Sequence, residues 1–436
     1  MEVRKPTACD SVAQPGYQKT DAGHIPVDWR YTRLTGVARL ESGHTPSRRK
    51  PSYWAGDIPW VSLHDTESLD ANEIAQTAQT ISAEGLKNSS ARLLPKGTVI
   101  FSRTATVGKA SVIGREMATS QDFANYICGP EVHNHFLVYL FRHMAPEWKR
   151  LMAGSIHNTV YMPAFRSLNV ILPPRFEQEA IAEALSDADA LIESLSLLLA
   201  KKRQIKRGAM QGLLTGKKRL PGFSLCVAPD NSRWPVDWRR CTLSQIADVK
   251  TGPFGTALHE KDYVISGTPI ITVEHLGETG IKGDGAPQVS VADVRRLQAY
   301  TLKEGDIVFS RVGSVDRNAW VGKSEEGWLF SGRLLRLRIT DAEVNFKFLS
   351  YLFQGERFKQ QVVSVAVGQT MASLNTKILN GLEIFLPPLD EQNSIAQILS
   401  DMEVDIAAVE SRLAKAKGIK QAMAQELLTG RTRLNR

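Results

Sequence analysis

The chain has 436 residues, 42% of them hydrophobic and 23% charged, with a net charge of +8 and a pI near 9.2. At roughly 150 residues per domain this suggests two or three globular domains with ample core. No run of about 18 apolar residues is present, which excludes a membrane-spanning helix, and the basic balance suits a polyanionic partner without requiring one. The four cysteines, Cys9, Cys128, Cys226 and Cys241, are scattered and form no C-x-x-C pair. That argues against a zinc site or disulfide framework and fits a reducing cytoplasm. The polar stretch Met1–His24 lacks an apolar signal core, so a cytoplasmic protein with no membrane contact is expected.

In chain order, the first body opens on Pro26-Val27-Asp28-Trp29-Arg30. A basic, proline-broken loop follows, Thr45-Pro46-Ser47-Arg48-Arg49-Lys50-Pro51, then Tyr53-Trp54 and Asp57-Ile58-Pro59-Trp60. Cations beside aromatics suit a nucleic-acid surface, which makes Arg48, Arg49 and Lys50 candidates; the same composition also suits a solvated loop beside a packed aromatic pair. Thr98–Phe101 reads as a strand ending in Ser102-Arg103, and Ser111–Ile113 as another. Residues 134–152 read as a helix, and His157 and Asn158 lie in the Gly154–Thr159 loop that follows. Asn can read adenine, but capping a loop is its commoner work. Leu168–Leu172 reads as a strand stopped by Pro173-Pro174, and about 40 proline-free residues follow.

The chain then repeats. Pro173–Leu220 aligns without gaps on Pro387–Leu434 at an offset of 214, with 22 of 48 positions identical. The pentapeptide at Pro26 recurs at Pro235 (offset 209), and Gly97–Arg103 recurs as Gly305–Arg311 (offset 208). A period this long marks a duplicated domain and not a solenoid. The second half therefore carries its own strand ending in Ser310-Arg311, a helix over 345–363 and a strand Leu382–Leu386 before Pro387-Pro388. Gln369 is the rough counterpart of Asn158. Arginine at a strand edge can bind phosphate or guanine, or stand solvated; recurrence of Arg103 and Arg311 in both halves favours a shared phosphate contact. Ser102 and Ser310 beside those arginines, with Lys109, Arg317 and Lys323, complete the set of candidate DNA-binding residues.

In the first tail, Gln178, Ile181, Leu185, Ala188, Ile192, Leu195 and Leu199 alternate at three and four residues; in the second, Ile395, Leu399, Met402, Ile406, Val409, Leu413 and Ala416 do the same. This is a coiled-coil seam, although two helices each packed on their own body would show the same stripe. Each tail runs from an acidic start to a basic end, so antiparallel pairing sets opposite charges together. Gly216 and Gly430, closing Leu-Leu-Thr-Gly, are natural helix ends. No nucleotide-binding, metalloprotease, nucleophile-elbow or amino-methyltransferase motif occurs: Gly322-Lys323-Ser324 lacks the upstream glycine of a phosphate loop, where Arg317 stands instead. His133 and His135 have no acidic or cysteine cluster at metal-binding spacing, so neither a metal site nor a catalytic residue is expected.

The twice-repeated L-P-P-x-x-E-Q openings and L-L-T-G closings on long helices resemble the specificity subunits of type I restriction–modification systems. The Gly43-His44-Thr45-Pro46 loop with Tyr53-Trp54 and Ile58-Pro59-Trp60 resembles the start of a target-recognition domain. Gly252-Pro253-Phe254-Gly255 resembles a variant of that start, although the second half lacks the Tyr-Trp and Ile-Pro-Trp pairs. The resemblance implies an α+β chain of two mixed target-recognition domains joined by two long antiparallel helices in a coiled coil. The expected segments are an N-terminal extension (1–24), recognition domain one (25–172), a long helix (173–216), a linker (217–233), recognition domain two (234–386), a second long helix (387–430) and a tail (431–436). It further implies a non-catalytic subunit that reads a bipartite double-stranded DNA target. Two methyltransferase subunits bringing S-adenosylmethionine would join it, and two motor–nuclease subunits using ATP would join for cleavage. A stand-alone DNA-binding regulator with duplicated domains is the alternative.

Overall fold

The computed structural model describes residues 16–153, 158–223, 234–253, 258–259, 262–312, 317–366 and 373–434. His157 and Gln369 lie outside the described residues, as do Cys9, Cys226, Phe254 and Gly255. The chain folds as two compact units, Met1–Leu195 with Arg412–Arg436, and Ser196–Ser411. Each unit holds one body, the first half of the long helix that leaves it and the last half of the other long helix. The long helices are Arg175–Leu213 and Leu389–Leu427, 39 residues apiece.

Both bodies are built on one plan. Entry strand Arg30–Arg33 pairs antiparallel with exit strand Asn169–Leu172, and Arg239–Thr242 pairs in the same way with Glu383–Leu386. Each body is thus closed by a ladder between its first and last strands. In unit one the main sheet runs Ala38–Ser42, Phe123–Cys128, Val99–Ser102, Ala110–Ile113 and Glu73–Ile74. In unit two it runs Ala247–Thr251, Leu334–Ile339, Ile307–Ser310 and Asn318–Trp320. The central strands Val99–Ser102 and Ile307–Ser310 are buried at all four positions, which is why they read as unbroken apolar runs. Their registers match: Phe101 faces Ala110 as Phe309 faces Asn318.

The helical segments after these sheets are shorter than the sequence suggests. Residues 134–152 form two helices, Asn134–His143 and Ala145–Met152, the second admitting Pro146 in its first turn. Residues 345–363 likewise divide into Phe346–Gln354 and a helix beginning at Glu356, broken at Gly355.

The fourteen seam residues are all buried or half-buried, but they serve two purposes. Ile181 and Leu185 belong to the core of body one, together with Phe136, Leu140, Leu427 and Leu428. Ile395 and Leu399 belong to the core of body two, together with Phe348, Leu352, Leu213 and Leu214. Each such side chain contributes about 1.5–3 kcal/mol through burial. The first turns of each helix are therefore domain core, and Leu195, Leu199 and Val409, with half-buried Ile192, Ile406 and Leu413, form the inward stripe beyond it. Within each unit the two helices run antiparallel, as the charge gradient predicts. Lys202 pairs with Asp405 at 2.8 Å, Arg203 with Glu410 at 2.6 Å and Lys206 with Glu403 at 2.6 Å in unit two, and Lys420 pairs with Asp189 in unit one. Among the described residues no helix is long and apolar enough to cross a membrane.

Candidate nucleic-acid interface

The repeated motifs make the frame that carries the candidate loops. After the two prolines, Gln178 Nε2 donates to the carbonyls of Pro173 (2.8 Å) and Glu131 (2.9 Å), and its Oε1 accepts from the His133 amide (2.8 Å). Gln392 repeats this with Pro387 (2.8 Å), Glu343 (3.0 Å) and the Asn345 amide (2.9 Å). One buried amide thereby satisfies main-chain groups that the proline break leaves open and ties the body to its helix. Its neighbour is a fully buried carboxylate. Glu177 accepts from Arg433 Nε at 2.7 Å and from Trp29 Nε1 at 2.9 Å, and Glu391 accepts from Arg219 Nε at 2.6 Å. The same arginines also fork onto Asp28 and Asp237. The hydrogen bonds from Arg433 and Arg219 hold the Asp28 and Asp237 carboxyls below the usual range.

A second repeated contact joins three elements within each unit. Tyr351 OH donates to Glu403 Oε2 at 2.8 Å, and Lys206, over the Tyr351 ring at 5.9 Å, donates to the other carboxylate oxygen. Tyr139, Asp189 and Lys420 repeat the arrangement, with Lys420 5.7 Å from the ring centroid. Burial pushes the pKa of both phenols up and so suppresses their ionisation, and they stay neutral donors.

On this frame the bodies present their divergent loops. A Cβ on Gly43 would stand 2.1 Å from the Ser120 carbonyl oxygen, and one on Gly252 would stand 2.1 Å from that of Ser331. The loop root is therefore the same in both bodies, and glycine is required by close backbone approach. In body one the indole of Trp60 donates to the His44 carbonyl (3.0 Å) and that of Trp54 to the Ser47 carbonyl (3.2 Å). Thr45 reaches Gln121 at 2.5 Å. Arg48, Arg49 and Lys50 are exposed on the loop so held. Lys50 Nζ donates to Tyr53 OH at 3.1 Å, a bond that holds the amine above its ordinary pKa.

Arg103 and Arg311 occupy matched places. The Arg103 amide donates to the Asp122 carbonyl and its own carbonyl accepts from Val160; Arg311 does so with Arg333 and Leu374, all at 2.8–2.9 Å. Both side chains are half-exposed. The Arg103 guanidinium also donates to the carbonyls of Gln121 (2.9 Å) and Val160 (3.4 Å), so it braces the turn. Ser102 and Ser310 are fully buried, their hydroxyls bonded to the carbonyls of Thr104 (3.2 Å) and Val312 (3.0 Å). They close turns and face no solvent. Lys109 is tied to Asp70 at 2.8 Å. Arg317 is exposed and donates to the Leu276 carbonyl at 2.7 Å, and Lys323 is exposed on a short turn. Asn158 is exposed with φ 48°, a left-handed conformation that asparagine tolerates.

Among the described residues no group of three histidine, cysteine or acidic side chains could hold a metal ion. His133 and His135 are half-buried, and burial depresses their basicity. The Cys128 thiol is pushed up to about 12 by burial. Sequence reasoning did not find the Arg219 and Arg433 clamps; the signal was present as Thr-Gly-x-x-Arg in both tails.

The family model for the type I restriction modification DNA specificity domain matches residues 26–205 and again 235–417. The chain is 24% identical over 431 residues to the specificity subunit of the type I restriction enzyme MjaIX of Methanocaldococcus jannaschii, covering 96% of each. It is 21% identical over 440 residues to the EcoKI specificity subunit of Escherichia coli, covering 93% of this chain and 89% of that one. Its fold is similar to the crystal structure of a type I restriction–modification S subunit from M. genitalium, with a TM-score of 0.56, 13% identity and coverage of 92% and 96%.

Proposed function

This chain belongs to the type I restriction–modification DNA specificity family, and we propose from that premise that it reads a bipartite DNA target, one half-site per body, and positions catalytic partners there. The observation that carries this reading is a shared frame around divergent loops. The Gln178/Gln392 ties, the Arg433/Arg219 clamps and the Gly43/Gly252 loop roots recur, while the loops they support differ. Two readers built on one frame suit two half-sites of different sequence. The exposed cations Arg48, Arg49, Lys50, Arg317 and Lys323 are the proposed DNA-facing set. Half-exposed Arg103 and Arg311 are proposed as phosphate contacts common to both bodies.

In this reading the long helices set the length of the unread spacer and dock two methyltransferase subunits. Those subunits supply S-adenosylmethionine and the chemistry, and motor–nuclease subunits supply ATP-driven cleavage in the cytoplasm. This chain contributes recognition alone. Exchange of residues 25–172 for the corresponding body of a relative, followed by mapping of methylated bases in the assembled complex, tests it. The expected result is a change in one half-site with the other and the spacer retained. A change in both half-sites would overturn the modular reading, and site-specific binding with no methylation under any partner would favour a stand-alone regulator.

A further inference from the structure

Of the three exposed cations on the body-one loop, the structure holds one guanidinium over an indole ring. The Arg48 guanidinium lies 4.5 Å from the centroid of the Trp54 ring and 5.6 Å from that of Trp60, and one terminal nitrogen donates to Gln79 Oε1 at 3.1 Å. The two indoles are themselves locked edge-to-face at 5.0 Å. Both use their N–H groups to hold the loop backbone that leads into Arg48, at His44 and Ser47. Pro46 is buried between those anchors. Among the described residues no carboxylate pairs with Arg48, so its charge is oriented but not neutralised. Arg49 shows no such bracing, and Lys50 is a point charge tied to Tyr53.

We infer that Arg48 reads a guanine in the half-site contacted by body one, an inference that rests on the proposal that this body contacts DNA. The reason is geometric. A phosphate is served by any cation that can reach it, including a freely rotating lysine. A guanine edge presents two acceptors, O6 and N7, side by side, and rewards a planar fork whose orientation is already fixed. The contact with the Trp54 ring and the Gln79 bond remove much of the rotamer freedom that a solvated arginine would lose on binding. The duplication supplies a second, independent argument. Positions shared by two bodies that read different sequences cannot carry the difference. The loop root is shared, through Gly43 and Gly252, and the strand of Ile58-Pro59-Trp60 recurs as Thr268-Pro269-Ile270, but the indole does not: Ile270 holds the place of Trp60. The Arg48 platform is thus among the features peculiar to one half-site.

The test uses the full chain assembled with its methyltransferase subunits. Methylation is mapped across a library in which every base pair of the target is varied, for the wild type, Arg48→Ala, Arg48→Lys and Arg49→Ala. The expected wild-type half-site of body one contains a G·C pair at which both Arg48 variants lose discrimination by roughly 10- to 100-fold. All other positions, and the whole half-site of body two, should keep their preference. Arg49→Ala should weaken all sequences alike. Wild-type behaviour of Arg48→Lys, uniform weakening by Arg48→Ala, or a body-one half-site without a G·C pair would each overturn the assignment. An unaltered body-two half-site in those same data would show that the parent reading survives such a failure. A wild-type complex that reads no bipartite site would sink both.

Discussion

Arg433 donates through Nε to Glu177 Oε1 at 2.7 Å, across 256 positions of chain. Arg219 makes the equivalent bond to Glu391, with Oε1 at 2.6 Å. The accompanying aspartate lies 18 residues from Arg219 in one case and 405 residues from Arg433 in the other. The aspartate arm of the clamp is thus local where the chain passes from the first long helix into body two, and joins opposite ends of the sequence in unit one. Tyr17 OH adds a bond to the Gly430 carbonyl at 2.9 Å in that unit.

Breaking this clamp should be costly because it strands a fully buried carboxylate. Arg219→Met should destabilise by about 3–5 kcal/mol, since both Arg219 and Glu391 side chains are almost wholly buried. Arg433→Met should cost less, its side chain being partly exposed. Deletion of residues 431–436 should reproduce the Arg433→Met loss. Urea titration of the chain would check all three, and a deletion with no effect on the midpoint would contradict the clamp.

The clamp also gives stability a sign with pH. Asp28 and Asp237 are held below their ordinary pKa in the folded chain by hydrogen bonds from Arg433 and Arg219. Their contribution is full above the unfolded value, near pH 4, and is lost as pH falls through the folded value. Thermal midpoints of the wild type should therefore drop more steeply below about pH 4 than those of Arg219→Met. Parallel curves would show that the aspartates contribute nothing.

Glycines divide into required and dispensable ones. Gly216 and Gly430 end the long helices at φ 67° and 73°, and a Cβ would stand 2.6 Å from a carbon of the Pro235 or Pro26 ring. Alanine at either should cost about 1–2 kcal/mol or more from backbone strain alone. Gly208 and Gly418 lie inside the long helices with nothing within 4 Å of a Cβ. Alanine there should add about 0.5–1 kcal/mol each. Equilibrium unfolding of the four variants would reveal the split, and stabilisation at Gly430→Ala would refute it.

Much of this architecture was legible from local pattern. The apolar strands at Val99 and Ile307, the proline stops and the glycine helix ends are decided by neighbours in sequence, and they stand where expected. What remained hidden was set by distant partners. Glu177 looks like one more acid at a helix start until Arg433 arrives from the other end of the chain. The three-and-four spacing of Ile181 and Leu185 cannot distinguish a helical seam from a domain core, because both bury one stripe. The pattern that ends the apolar run at Phe101 leaves Ser102 at the strand's edge; the strand continues one residue further and buries the hydroxyl. Composition left the Arg48 loop open between a solvated turn and a binding surface, and only the placement of Trp54, Trp60 and Gln79 distinguishes its three cations.

Arg103 and Arg311 should contribute to DNA affinity without choosing sequence. Each alanine variant, in the assembled complex, should lower the salt slope of binding by roughly one and weaken target and random DNA alike. Because Arg103 also braces its turn through Gln121 and Val160, Arg103→Ala should cost folding stability as well. Relaxed preference at a single base pair would assign either residue to base reading instead.

The long helices should behave as a paired spacer. Lys202–Asp405 and Lys206–Glu403 fix their register within one unit, and Lys420–Asp189 fixes it within the other. An insertion in one helix alone would throw those pairs out of step and should destabilise the chain. Insertions in both, four residues after Leu199 and four after Leu413, keep the seam roughly in phase, since four residues are close to one turn. They lengthen each helix by about 6 Å, near two base pairs of DNA rise. Methylation mapping of the doubly extended chain should show both half-sites unchanged and the spacer about two base pairs longer. A folded, active complex that keeps the original spacer would show that the helices do not measure it.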